Sequence, residues 1–128
     1  MIIEKNKLKE KRPTRVALYA RRSAKSRDVD DVLQIDHDEQ ERVFEMFCSK
    51  NELLGQEHHR FFDTITVDTA PESRPGFQAL LRAAESRAFD VVAVYNIRIL
   101  ARNIGHISRI IETLNTLGIE LRWIKSYD

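Results

Sequence analysis

The sequence predicts an α/β domain with a mostly parallel sheet of four to five strands and helices on both faces. Short β-rich apolar runs alternate with stretches of helical periodicity, giving the order β-α-β-α-β-α-β of a layered α/β fold. The run DVVAVYNI (90–97) is almost continuously apolar, as a parallel strand covered on both faces must be. The length of 128 residues, with 42% apolar residues, suits one domain with a real core.

The elements follow in chain order. RVALYA (15–20) is short and β-rich and predicts the first strand, followed by a polar, charged loop over 21–33. From about Asp36 to Leu54, Val43, Phe44, Phe47 and Leu54 fall at helical spacing. Asp36 or Asp38 can cap that helix and Gly55 can end it. HRFFDT (59–64) predicts the second strand, and residues 65–74 a loop containing Pro71 and Ser73. Pro75 suits a first helical turn. Phe77, Leu80, Leu81 and Ala84 then repeat at i, i+3, i+4 and i+7, the pattern of a buried helix face. After the third strand, Ile104, Ile107, Ile111 and Leu114 mark another amphipathic helix, closed by Gly118, and IELRWI (119–124) is the last strand. There, Trp123 alternates with Leu121 and reads as packing.

Net charge is only +1, but its distribution is uneven. Residues 1–27 hold ten Lys/Arg against two acids, a local balance of +8, and residues 28–45 hold eight acids against Arg42. Residues 1–14 read as a basic flexible tail, of the kind that also makes nonspecific phosphate contacts. No apolar run approaches the ~20 residues that span a bilayer, and MIIEKNKLKEKRP lacks the apolar stretch of a secretory signal. Cys48 is the single cysteine and sits in a helical core stripe. A buried, inert thiol and a cytoplasmic location are expected.

In open α/β sheets, ligands bind beyond the carboxyl ends of the strands. That rule selects Arg21–Arg27, Asp63–Arg74, Asn96–Arg102 and Ser126–Asp128. No glycine precedes Gly55, so the first strand-to-helix turn has no Gly-rich phosphate cradle and nucleotide cofactors are disfavoured. The arginines suggest an anion site made from side chains, because guanidinium forks match phosphate oxygens and stay charged. Ser23 lies two residues past Arg21. Fixed cations there would favour its alkoxide and stabilise a pentacovalent phosphorane. A serine in such a loop is otherwise a helix cap or turn former, and surface arginines are otherwise solvated; spacing alone leaves both readings open. His58–His59 has no second ligand pair at zinc spacing, so no metal site is expected. Asp28, Asp30 and Asp31 form a solvated acidic run more readily than a Mg²⁺ site.

Four motifs in order carry a family resemblance. VALYARRSAKS resembles the Tyr-x-Arg-x-Ser signature that opens the resolvase/invertase family of serine recombinases. EQERVFEMFCSKNEL is similar to that family's first helix, FFD with SRPGFQALL to its Asp … Arg-Pro-x-Phe … Leu-Leu segment, and FDVVAVYNIRILAR to its third strand and helix start. The resemblance covers residues 15–125, and the long stretch between Ser23 and Gln40 looks more like the large serine integrases. It implies a resolvase-like catalytic domain over 15–128 that performs site-specific DNA recombination through a 5′-phosphoserine intermediate. By position, Ser23 would be the nucleophile and Arg21 would bind the scissile phosphate. Gln40 would support the site by hydrogen bonding, and Arg74 would contact the phosphate from a mobile loop. Arg102, on the helix after the third strand, would help protonate the leaving 3′ oxygen. The partners implied are DNA and, in the full-length protein, a homodimer or tetramer, with no metal or small-molecule cofactor and no membrane.

The chain departs from the pattern in two ways. An ungapped match puts Arg98 where the family has Asp, and Ile99 where it has a phosphate-binding Arg. On a continuous helix Arg98 and Arg102 would share a face, so Arg98 is a possible phosphate contact. The alternative is a weakened or inactive domain with the same fold and a regulatory or interaction role. The sequence also stops before the family's long dimerisation helix and separate DNA-binding domain, so weak, sequence-independent DNA binding is expected. An unrelated flavodoxin-like binding module is a further alternative.

Overall fold

A computed structural model describes residues 14–23 and 35–125. The tail up to Pro13, the acidic run Asp28–Asp31 and Ser126–Asp128 lie outside the described residues. The strands are β1 (Val16–Arg22), β2 (Arg60–Thr64), β3 (Val91–Val94) and β4 (Glu120–Trp123). The helices are α1 (His37–Lys50), α2 (Pro75–Glu85), a single turn α3 (Ile97–Leu100) and α4 (Ile104–Thr116), with 3₁₀ turns at Glu57–His59 and Pro71–Ser73. All strand pairs are parallel, in the order β2-β1-β3-β4. Parallel pairing places the carboxyl ends of the four strands along one edge of the sheet.

The two-residue period of β1 divides the core. Ala17 and Tyr19 join Phe77, Leu80 and Ala84 of α2 and Ile110 and Leu114 of α4 on one face. Val16, Leu18 and Ala20 meet Phe44 and Cys48 of α1 on the other. Helices therefore cover both faces of a four-stranded sheet; β3 is buried throughout and β1 is buried up to Arg21.

Local chemistry explains most element ends. Asp36 caps α1 by accepting from the Glu39 amide at 2.9 Å. Pro75 opens α2 at its first turn. Gly118, at φ +75°, follows the α4 C-cap in the left-handed conformation that costs glycine nothing. Gly55 does not end α1. That helix stops at Lys50, and Leu54 instead bridges Arg15 beside β1. Thr14 belongs to this fold rather than to a tail, since its carbonyl accepts from the Leu54 amide. Trp123 is not packed: it is 52% exposed on β4, an edge strand. No helix among the described residues is long and apolar enough to cross a membrane.

Cys48 is buried against β1, and burial pushes its thiol up to about 11. Only the thiolate reacts with alkylating reagents. Iodoacetamide at pH 8 is expected to label the folded chain about 10²-fold more slowly than the urea-unfolded chain. Equal rates, followed by mass spectrometry, would place the thiol at the surface.

Candidate active site

The site is built at the carboxyl edge of the sheet, from the exit of β1. The alternation that buries Tyr19 continues to Arg21 on the same side of β1, and Ser23 follows one residue past the strand end. Ser23 is 7% exposed and directly follows the exposed Arg22. The next strand is bound in beside it, because the Ile65 amide donates to the Arg22 carbonyl at 3.0 Å.

Arg21 is buried. Its Nε donates to the Ile99 carbonyl at the end of α3, and its Nη1 donates to the Ile65 carbonyl at 2.9 Å after β2. Gln40, fully buried in the first turn of α1, holds the backbone of this corner. Its Nε2 donates to the carbonyls of Arg21 at 2.9 Å and Ile35 at 2.7 Å. Ser23, Arg21 and Gln40 are thus gathered at one strand exit.

Arg74 is the N-cap residue of α2 and is completely buried. Its guanidinium donates to three carbonyls: Thr69 at 2.9 Å, Leu100 at 2.6 Å and Val67 at 3.2 Å. In this conformation Arg74 binds the protein's own backbone and presents no surface to a phosphate, unlike the loop contact expected from the sequence. Its charge stands in a buried cluster. Tyr19 lies beside it, and the Tyr19 hydroxyl donates to Asp63 Oδ2 at 2.7 Å. Burial holds the Tyr19 phenol above its ordinary range; Arg74 opposes the shift and Asp63 adds to it.

Asp63, the last residue of the FFD motif, is a further residue of this site. It is buried at 5% exposure, near the end of β2, and organises the α2 N-terminus. It accepts from the amides of Gly76 at 2.7 Å and Phe77 at 3.0 Å as well as from Tyr19. A carboxylate there satisfies first-turn amides that the helix itself cannot. Gly76 allows the close approach, since a Cβ at that position would lie 2.3 Å from the Phe62 carbonyl oxygen. The signal that identifies Asp63 is the strand-end rule.

The remaining arginines separate. Helix α3 ends at Leu100, with Ala101 extended at φ −165° and ψ 156°. Arg102 therefore lies in the link between α3 and α4 rather than on a helix, and the shared face expected for Arg98 and Arg102 does not exist. Arg102 Nη2 contacts both oxygens of Asp68, at 2.9 and 2.7 Å, in an exposed pair. Arg98 is half-buried, with its amide capped by Asn96 Oδ1 at 2.8 Å. The Ile99 side chain is buried at 2% exposure.

His59 packs against the Phe89 ring, and among the described residues no His, Cys, Asp and Glu cluster could hold a metal ion. A cavity of about 740 Å³, lined by Arg15, Arg87, Asp90 and Gly118 among others, opens at the amino ends of the strands, away from Ser23.

Comparisons with known proteins agree with this architecture. The N-terminal catalytic domain of TP901-1 integrase superposes at a TM-score of 0.72 and 21% identity, covering 87% of this chain and 77% of that one. The C-terminal catalytic domain of ISC1926 TnpA, an IS607-like serine recombinase, gives 0.69 at 20% identity, covering 89% and 72%. A resolvase family site-specific recombinase from Streptococcus pneumoniae gives 0.63 at 19% identity, covering 87% and 72%. No curated protein sequence matches the chain. The family profile described as "Resolvase, N terminal domain" matches residues 16–128, and the chain belongs to this resolvase family of serine recombinases.

Proposed function

We propose that this domain cuts and rejoins DNA at specific sites through a 5′-phosphoserine intermediate, with Ser23 as nucleophile. Site-specific recombination is the general activity of the family to which the chain belongs. The observation that carries the finer reading is the strand exit where Ser23 follows Arg21 and is backed by Gln40. In the proposed step the Ser23 hydroxyl oxygen attacks the phosphorus and loses its proton. The bond to the 3′ oxygen breaks, and that oxygen leaves with a proton. The serine–phosphate ester replaces the phosphodiester bond one for one. A free 3′ hydroxyl can therefore reverse the step without an external energy source.

Arg21 contributes fixed positive charge beside the reacting phosphate, which favours the developing oxyanion. Arg74 acts as a positioning residue in the observed conformation, holding residues 67–69 and α3 around the site. Arg102 and Arg98 are the candidate contacts to flanking phosphates. DNA is the proposed partner, the oligomer a dimer or tetramer of the full-length protein, and the cytoplasm the proposed location. No cofactor or metal is proposed.

A suicide substrate, whose nick prevents religation, should trap a covalent protein–DNA species visible by denaturing electrophoresis. Loss of a serine nucleophile costs about 10⁶-fold in rate, so Ser23→Ala should yield no adduct. An adduct that survives in Ser23→Ala would assign the chemistry to another residue.

One observation favours a second reading. Ile99 occupies the position of the family's phosphate-binding Arg and its side chain is buried, so that cation is missing. A domain weakened in this way would keep the fold and serve regulation or interaction. A protein that binds DNA but forms no adduct would establish this reading.

A further inference from the structure

Four arginines fasten residues 65–73, which join β2 to α2, to the α3–α4 region. The two inner links are buried. Arg21 joins the Ile65 carbonyl to that of Ile99, and Arg74 joins Val67 and Thr69 to Leu100. The two outer links are exposed and use carboxylates. Arg102 holds Asp68, and Arg109 of α4 holds Glu72. The side chains of the outer pairs are 41% and 63% exposed for Arg102 and Asp68, and 49% and 62% for Arg109 and Glu72.

This division has a physical consequence. A buried guanidinium spread over backbone carbonyls cannot be withdrawn without leaving those carbonyls unsatisfied. Exposed ion pairs contribute little and are readily exchanged. A carboxylate oxygen accepts from a guanidinium as a phosphate oxygen does, with two oxygens at Asp68 and one at Glu72.

We propose that Asp68 and Glu72 act as internal stand-ins for DNA backbone phosphates, and that Arg102 and Arg109 exchange them for phosphates when duplex DNA arrives. Arg109, to which sequence reasoning assigned no role, thereby becomes a backbone contact beside Arg102. The two carboxylates restrain nonspecific binding, because each must be displaced and each repels the incoming strand. The inner links stay intact during the exchange, so the surface opens without unfolding the loop. This inference rests on the DNA-binding reading above.

The test measures affinity for a nonspecific duplex by fluorescence anisotropy, using the whole chain. Each added phosphate contact steepens the dependence of log affinity on log salt by about 0.9. Asp68→Asn with Glu72→Gln should therefore bind about tenfold more tightly than the unaltered chain at about 50 mM salt, with the gain fading as salt rises. The same two changes placed on Arg102→Gln with Arg109→Gln should give a clearly smaller gain, that of relieved repulsion alone. An equal gain in that background would overturn the exchange in favour of a simple change of net charge. Binding by the unaltered chain with less than a twofold gain in Asp68→Asn/Glu72→Gln would overturn the exchange alone. Binding by no variant would overturn the DNA reading and this inference with it.

Discussion

Replacing Arg74 with methionine is expected to lower the free energy of unfolding by about 3–5 kcal/mol, the range for removing one partner of a buried ionic group. Methionine keeps much of the length and apolar volume but none of the donors. The carbonyls of Val67, Thr69 and Leu100 would lose the guanidinium that now satisfies them, and the buried Asp63 cluster would lose its nearby positive charge. Arg74→Lys should recover little. An ammonium carries the charge, but as a compact group it cannot reproduce a planar fork bonded through all three nitrogens. Urea unfolding followed by far-ultraviolet circular dichroism is the suitable measurement, since Trp123 is too exposed to report cleanly on the core. A loss below about 0.5 kcal/mol, typical of surface substitutions, would mean that Arg74 faces solvent and is available to DNA.

Asp63→Ala should be as costly, again about 3–5 kcal/mol. The substitution leaves the Tyr19 hydroxyl and the amides of Gly76 and Phe77 without their acceptor, at the point where β1, β2 and α2 meet. Asp63→Asn should lose less, because one acceptor oxygen remains, although its new N–H group faces donors. The effects of Asp63 and Arg74 should not add, because both charges act through Tyr19. Combining Asp63→Asn with Arg74→Met should cost about 1–3 kcal/mol less than the sum of the single changes, as for residues in one network. Strict additivity would show that the two charges stabilise separate parts of the fold. Asp68→Asn is a useful control: an exposed carboxylate near the same loop, expected to change stability by no more than about 0.5 kcal/mol.

These predictions separate two properties of one arginine set. Ser23 and Arg21 stand at the exit of β1, with Gln40 in the first turn of α1 bonded to the Arg21 carbonyl. Arg74 and Arg21 nevertheless direct their donors into backbone carbonyls, while Arg102 and Arg109 direct theirs into carboxylates. The same residue type therefore fixes the loop at depth and offers an exchangeable surface outside it. Burial makes the difference, because it converts a solvated charge into one that must be fully hydrogen-bonded.

The fold was legible because periodicity is a local property. The apolar run at 90–97 and the spacing of Phe77, Leu80 and Ala84 declare which faces will be covered before any partner is known. Element ends were less legible. Leu54 fits a helical stripe by spacing, yet it leaves α1 to bridge Arg15, a contact 39 residues away in the chain. The break after the single turn α3 was not legible either: the resemblance implies one continuous helix through Arg98 and Arg102, and four residues capped by Asn96 cannot display a period that would announce the extended Ala101.

Composition and spacing established the layered α/β architecture, and the ordered motifs pointed to the serine at the first strand exit. Neither disclosed which arginines are sealed and which are exchangeable, or that Asp63 ties three elements together. Those outcomes depend on carbonyl oxygens at Ile65, Val67, Thr69, Ile99 and Leu100. Every residue has the same carbonyl group, so side-chain identity carries no sign of it. Only the path of the folded backbone gathers those oxygens into cages for positive charge.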